Sequence, residues 1–370
     1  MSVEALDYDY VLDDEGVTYL AAVESGAAQV TLVRTLWDGT EAWRTQVPVA
    51  ACASATDAQL SSDLGLGIVS VWFSAPGQAG GDSRPLTQAM ASYAMTYYDV
   101  ASGTAHEIDL SGYAEAAGAT ASESSRTFIG AIHYTDDGST TAITYLTAEG
   151  ELETIAWLDL LGDNLLLGHT LDSVRQWKGR VVASLNPLGA LPRGSASVGD
   201  QLYVGRSEAA TDLDGWRSQA TRDHYVVYDG PDTSEQGSRP EVLLISADAT
   251  MSPVEVPACA APEHDAVLTD GDHAYVGALD VDLAAATATC LDGLAPDAGA
   301  GVVGGFSDGA YLFANDNNQY WIVTGDGSRT VPLNELGVND LRSKAGYLVT
   351  EETGDRGTTL RAYRWSEARL

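Results

Sequence analysis

Three cysteines, six histidines and 53 acidic residues are the side chains of this 370-residue chain best equipped for chemistry. Cys52, Cys259 and Cys290 contain no Cys-x-x-Cys pair, and no histidine stands at zinc-finger spacing, so no metal site of that kind is expected. Cys259 and Cys290 lie 31 residues apart and are expected to meet across neighbouring strands as a disulfide, the alternative being two buried free thiols. Cys52 is then unpaired. His106, His133, His169, His224, His264 and His273 are scattered singly. His133 and His273 alternate with apolar residues, which suits a strand face better than a ligand role. Catalytic triads are recognised by geometry and stay open here, but no Gly-x-Ser-x-Gly elbow occurs. Paired carboxylates for glycoside hydrolysis are unreadable among so many acids. There is no P-loop, and no Gly-x-Gly-x-x-Gly segment lies between a strand and a helix.

Calcium is the metal left open, because hard oxygen ligands abound. Asp212-Leu213-Asp214-Gly215 and Asn315-Asp316-Asn317-Asn318 are the two loops of that composition. Both lack a glutamate twelve positions along, and Asp, Asn and Gly are what tight turns require, so both read as turns. No cofactor is expected. Trp216, Arg217 and Arg222 place an aromatic ring and two cations in a polar loop, Ser207–Asp223, of an otherwise anionic chain. They are the candidate ligand-binding residues, against the plain alternative of surface decoration. Most of the eight tryptophans are expected to fill core gaps.

The elements that must carry these residues are strands. Period-two alternation dominates, and no long segment carries apolar residues at helical spacing. Apolar runs are introduced by acidic or glycine turns at Asp14–Val23, Asp270–Leu279, Asp308–Ala314 and Lys344–Val349. Thr127–His133, Thr141–Leu146 and Leu152–Trp157 read as three successive antiparallel strands. Similar triplets occupy Val17–Val47, Gly67–Leu110, His273–Leu291, Ala310–Leu333 and Gly346–Trp365. Val47-Pro-Val-Ala-Ala-Cys52 is echoed by Glu255-Val-Pro-Ala-Cys259, each followed by an acidic turn and an alternating strand. Repeats of this period point to a propeller or solenoid.

The expected fold is therefore all-β. It is a single β-propeller domain over residues 1–370, of antiparallel four-stranded sheets, with seven blades favoured and six or eight as the alternatives. Arg180–Leu185 is expected to pair with Glu241–Ser246, so that residues 186–240 form an insertion within one blade, carrying its own hairpin. Ser74–Ser92 is a second long loop. Both are expected to join a blade's second strand to its third and so to emerge on one face. Asp7–Leu12 and Thr359–Trp365 both look strand-like and can close the ring together. Gly39-Thr-Glu-Ala-Trp-Arg-Thr-Gln-Val-Pro48 resembles the blade-ending motif of the quinoprotein-like propellers, in which a Gly is shortly followed by Trp and an apolar strand. The resemblance covers one blade and implies a fold, not an activity. The quinone-dependent dehydrogenases of that fold often carry a vicinal cysteine pair, which this chain lacks.

The formal net charge is −34, with 19 basic residues, of which only Lys178 and Lys344 are lysines. Phosphate binding needs clustered cations, so nucleic acid and anionic lipid are not expected partners. No apolar run is long enough to span a membrane. Met1-Ser-Val-Glu-Ala has neither a basic nor an apolar segment, and strand-like sequence follows at once. A signal or anchor is therefore expected to have preceded it, which together with a disulfide suggests an extracytoplasmic setting. The favoured function is a non-enzymatic propeller at the cell surface or secreted, binding a protein or glycan partner through loops on one face. The alternatives are a propeller hydrolase or lyase acting on carbohydrate, and a structural or sensory ectodomain of a membrane-anchored protein.

Overall fold

The computed structural model describes residues 1–21, 26–49, 54–73, 94–109, 130–134, 141–156, 169–187, 195–198, 201–205, 216–229, 241–246, 250–259, 267–297, 299–333, 340–354 and 357–365. Short apolar runs cut by Gly, Asp and Asn turns can only make strands, and the described residues hold thirty of them with no α-helix. β1 (Ser2–Leu12) is the longest and serves two blades. Its Tyr10–Leu12 end pairs with β2 (Gly16–Ala21), which runs on into β3 (Gln29–Leu36) and β4 (Glu41–Pro48). β5 (Ala58–Asp63), β6 (Ile68–Phe73), β7 (Ala94–Asp99) and β8 (Ala105–Asp109) form the next meander. β9 (Gly130–Tyr134), β10 (Thr141–Leu146) and β11 (Leu152–Ala156) are the described strands of a third.

The fourth sheet holds β12 (His169–Trp177), β13 (Arg180–Pro187), β14 (Ser195–Val198) and β15 (Gln201–Gly205), in the order β12-β13-β15-β14 with β13 and β15 parallel. Regular meanders resume with β16 (Trp216–Ala220), β17 (His224–Asp229), β18 (Glu241–Ser246) and β19 (Met251–Val254). β20 (Val267–Asp270), β21 (His273–Val276), β22 (Leu279–Asp282) and β23 (Thr287–Cys290) make the sixth unit. β24 (Gly301–Gly305), β25 (Tyr311–Ala314), β26 (Tyr320–Val323) and β27 (Thr330–Pro332) make the seventh. β28 (Asp340–Lys344), β29 (Tyr347–Gly354) and β30 (Gly357–Arg364) make the last, and Ser2–Ala5 of β1 adds to β30 as its fourth strand. The main-chain bonds between Met1 and Ala362 extend that seam, each 3.0 Å.

The result is a β-propeller. The first strands β16, β20, β24 and β28 touch in succession, as strands around a common axis must. The seven-stranded sheet β28-β29-β30-β1-β2-β3-β4 is two blades joined through β1, so the described residues divide into eight blade-sized units rather than seven. Residues 186–240 differ from the insertion expected of them. β13 pairs with β12 and β15, while β18 pairs with β17 and β19, so the segment feeds two sheets. Ser74–Ser92 lies outside the described residues.

A blade cannot bury both of its faces alone, and the core is accordingly a series of layers between neighbouring sheets. Leu20, Val30, Leu32 and Val47 of the first meander meet Leu60, Val69, Val71 and Tyr98 of the second. Val226, Val242 and Leu244 meet Ala274, Val276 and Val281. Val3, Ala5, Val349 and Leu360 pack with Val17 and Val33 where the ring closes. Each such aliphatic side chain is worth about 1.5–3 kcal/mol when fully buried. Trp43, the tryptophan of the blade-ending segment, crosses to the next blade. Its indole N–H donates to Val100 O at 2.9 Å, and its ring lies where a Cβ on Gly103 would sit, 2.7 Å from the nearest ring atom. The outer strands β4, β19 and β27 each carry a proline, Pro48, Pro253 and Pro332, which blunts exposed edges against pairing with other chains.

After β19 the chain runs along the edge of β23, with Glu255 bridging Thr287 in parallel. The Cys259–Cys290 disulfide fastens it there, as expected from the sequence. Cys52 lies outside the described residues. Closing a loop of 31 residues removes denatured-chain entropy worth about 3–4 kcal/mol. The C259S/C290S variant is expected to lose about that much, read from its denaturant midpoint. Reductant should lower the midpoint of the wild type and leave that of the variant unchanged.

Candidate functional site

Turns between the first and second strands of different blades meet one another on one face of the ring. The end of β5 supplies Asp63, a buried carboxylate that accepts the N–H groups of Lys178 at 3.0 Å and Gly179 at 3.1 Å, both from the β12–β13 turn. Gln176 Nε2 adds a third bond to it at 3.2 Å. Lys178 Nζ reaches Asp223, in the β16–β17 turn, at 3.2 Å. Asp14, in the β1–β2 turn, accepts the N–H of Gly271 from the β20–β21 turn at 3.3 Å. Asp270 accepts the N–H of Ala345, in the β28–β29 turn, at 2.6 Å. Lys344 Nζ sits among these groups, 3.0 Å from Asp14 and 3.1 Å from the Thr269 carbonyl. Burial pushes the Asp270 carboxyl up, opposed by the Ala345 N–H and by Lys344.

The network continues along one face of the β20–β23 sheet. His273 lies opposite Asp270 on one side and Asp282 on the other, and Tyr275 lies opposite Asp280. Period two therefore puts an imidazole, a phenol and three carboxylates on the same face. His273 Nδ1 is 2.7 Å from Asp280 Oδ1, and Tyr311 of β25 donates to Asp280 Oδ2 at 3.1 Å. The Tyr275 ring stacks on His273 with centroids 6.2 Å apart. A carboxylate held on both oxygens orients the imidazole, whose side chain is half-exposed. That arrangement could hydrogen-bond a polar ligand.

Burial pushes the Tyr311 hydroxyl up to about 12, with the Asp280 charge and its hydrogen bond adding to the effect. Burial also raises Tyr275. A tyrosine in the unfolded chain ionises near pH 10, so the unfolded state releases its proton first. The contribution of Tyr311 to stability is complete below about pH 10 and is lost as pH rises through about 12. Y311F is expected to flatten, without abolishing, the fall of the unfolding midpoint across that window.

The sequence candidates are not brought together. Trp216 and Arg217 open β16, opposite Asp229 and Tyr228, whereas Arg222 is exposed in the turn at the other end of that strand. The length of β16, four steps of extended chain or roughly 13 Å, separates Trp216 from the start of that turn. Of the calcium-type loops, Asp212–Gly215 lies outside the described residues. Asn315–Asn318 is the β25–β26 turn, where Asn315 Oδ1 accepts the N–H groups of Asn317 and Gln319, each at 3.1 Å. Among the described residues the one trio of His, Cys, Asp or Glu side chains close enough to share a metal is Cys259, Cys290 and Asp292, and two of its members are spent in the disulfide.

No family model matches the chain, and no curated protein matches it. Solved structures are similar at the level of the fold. The β-propeller domain of the Trilobed protease from Pyrococcus furiosus matches over 99% of this chain and 96% of its own, at 11% identity and a TM-score of 0.40. BamB from Moraxella catarrhalis matches over 99% and 90%, at 9% identity and a TM-score of 0.31. The dihydro-heme d1 dehydrogenase NirN, in complex with DHE, matches over 90% and 65%, at 11% identity and a TM-score of 0.36. Among the described residues no helix is long and apolar enough to cross a membrane.

What sequence reading missed is the shared polar network. Its members come from residues 14, 270–280, 311 and 344, and each alone looks like a turn or strand-face residue. The legible signal was the rarity of lysine: both lysines of the chain stand in first-to-second-strand hairpins and bind acids of other blades.

Proposed function

We propose that this chain is an extracytoplasmic β-propeller that binds a protein or glycan partner through the connections of one face and does not turn that partner over. What supports the reading is the contrast between the two faces. On the face of the first-to-second-strand turns, hydrogen-bonding groups are largely satisfied by one another, as at Asp63, Asp270 and Lys344. Alternating strand direction sends the second-to-third connections to the opposite end of each sheet. There the chain spends length, with residues 74–93 between β6 and β7 and residues 230–240 between β17 and β18. Trp216 and Arg217 begin β16 at that same end. Loops on a rigid scaffold are where recognition concentrates, and Trp and Arg are the residue types that anchor it. The disulfide suits an oxidising compartment.

The test is binding of the wild type, W216A/R217E and R222E to a panel of immobilised neutral and acidic glycans and purified surface proteins. A ligand retained by the wild type and by R222E but lost by W216A/R217E supports the proposal. Equal loss in R222E would move the site to the turn face. A carbohydrate-active reading has one observation in its favour, the oriented His273–Asp280 pair. Shortened saccharides in the same wells, absent with H273N, would establish it instead.

A further inference from the structure

We propose that the oxygens of Asp14, Thr269 and Asp270 form a cation site whose resident cation is the ammonium of Lys344, and that a hard divalent cation occupies the same place when the ammonium is removed. Three observations carry this. The first is that the site already holds a cation. Lys344 Nζ lies 3.0 Å from Asp14 Oδ1, 3.1 Å from Thr269 O and 4.0 Å from Asp270 Oδ1. The Lys344 side chain is only 11% exposed, so these contacts stand in for much of its water. The second is that the oxygens are fixed by backbone rather than by the lysine. Gly271 N–H holds Asp14 Oδ1 at 3.3 Å, and Ala345 N–H holds Asp270 Oδ1 at 2.6 Å. The cage therefore survives loss of the amine. The third is connectivity. The oxygens come from the first and sixth blades and the lysine from the last, at points far apart in sequence, so the ammonium joins three blades.

Without the ammonium, two carboxylates and a carbonyl would face one another across a largely buried space. An uncompensated buried charge is strongly unfavourable, so the site must take up a proton or another cation. All three ligands are hard oxygens, the class calcium prefers, and Asp14 is 54% exposed, which leaves a path for the ion and for the waters that would complete its shell. Calcium tolerates irregular geometry, whereas magnesium demands a near-ideal octahedron, so calcium is favoured. Lys344 thus does within this chain what a structural metal would do, and holds non-adjacent blades together without one.

The experiment uses the full chain and its K344M variant, which keeps an unbranched apolar stem against the same surroundings. Calcium binding is counted by isothermal titration, and unfolding midpoints are measured in calcium and in chelator. The wild type supplies the baseline for non-specific binding to an acidic surface. K344M is expected to bind one calcium ion more than the wild type, to unfold earlier in chelator, and to recover in calcium. D14N/K344M is expected to bind that extra ion at least tenfold more weakly. The proposal is overturned if K344M binds no more calcium than the wild type, or if D14N/K344M behaves as K344M does. It is equally overturned if K344M stays unfolded at millimolar calcium, because an ion that fits the cage would restore the fold.

Discussion

Removing residues 1–6 is expected to cost about 5 kcal/mol or more, enough to unfold much of the chain at ambient temperature. Ser2–Ala5 form the fourth strand of the last blade through four register pairs with Thr358–Arg361. Val3, Ala5 and Leu6 are all buried, Val3 and Ala5 within the layer that joins the last blade to the first. Loss of Val3 and Leu6 alone forfeits about 3–6 kcal/mol of burial, and the freed N–H and C=O groups of β30 add to that. The effect is larger than for trimming an ordinary edge strand, because β1 continues as Tyr10–Leu12 into the next blade. Tyr10 also meets Glu351 and Arg342 of the last blade, so one strand ties both halves of the seam. Denaturant midpoints of the full and shortened chains measure the loss. A synthetic peptide of residues 1–12, added in trans, should recover part of it. An unchanged midpoint would mean that the ring does not depend on this closure.

The second, third and fourth strands of most blades were legible because they alternate and are separated by Gly, Asp and Asn turns. The first strands β5, β16, β20, β24 and β28 were not. β24 reads Gly-Val-Val-Gly-Gly, poor in strand formers, yet its glycines are needed where three blades converge. A Cβ on Gly304 would sit 1.8 Å from Ser343 Oγ, and one on Gly305 would sit 2.3 Å from the Tyr275 hydroxyl. β16, β20 and β28 are short and partly polar for the same reason, since they face neighbouring first strands rather than a wide apolar layer. With β16 unseen, Trp216 read as a loop residue and residues 186–240 as one insertion. That one insertion counted the strands of two sheets as a single blade, which gave seven units where the described residues divide into eight. The disulfide was readable because it needs only two cysteines about one blade apart. The Lys344 clasp was not, because it joins positions that only ring closure brings together.

Trp177→Ala is expected to lower stability by about 5 kcal/mol, at the upper end for truncating a buried aromatic. Trp177 is fully buried at the end of β12 and packs with Tyr225, Val227 and Ile245 of the next blade. Its ring meets that of Tyr225 at 5.9 Å between centroids. Its indole N–H donates to the Thr221 carbonyl at 2.8 Å, and Lys178 Nζ lies 5.7 Å above the ring. Truncation therefore opens a cavity between two blades and also leaves a carbonyl in the β16–β17 turn without its donor. W177F separates the two losses. It keeps most of the ring and discards the N–H, so about 1–2 kcal/mol is expected from the unmade bond. If both variants cost the same, the hydrogen bond dominates and packing between these blades is loose. If W177F is silent while W177A is severe, ring volume alone holds the joint. The intermediate result, with amide exchange accelerated first in β17 and β18, is the one this geometry requires.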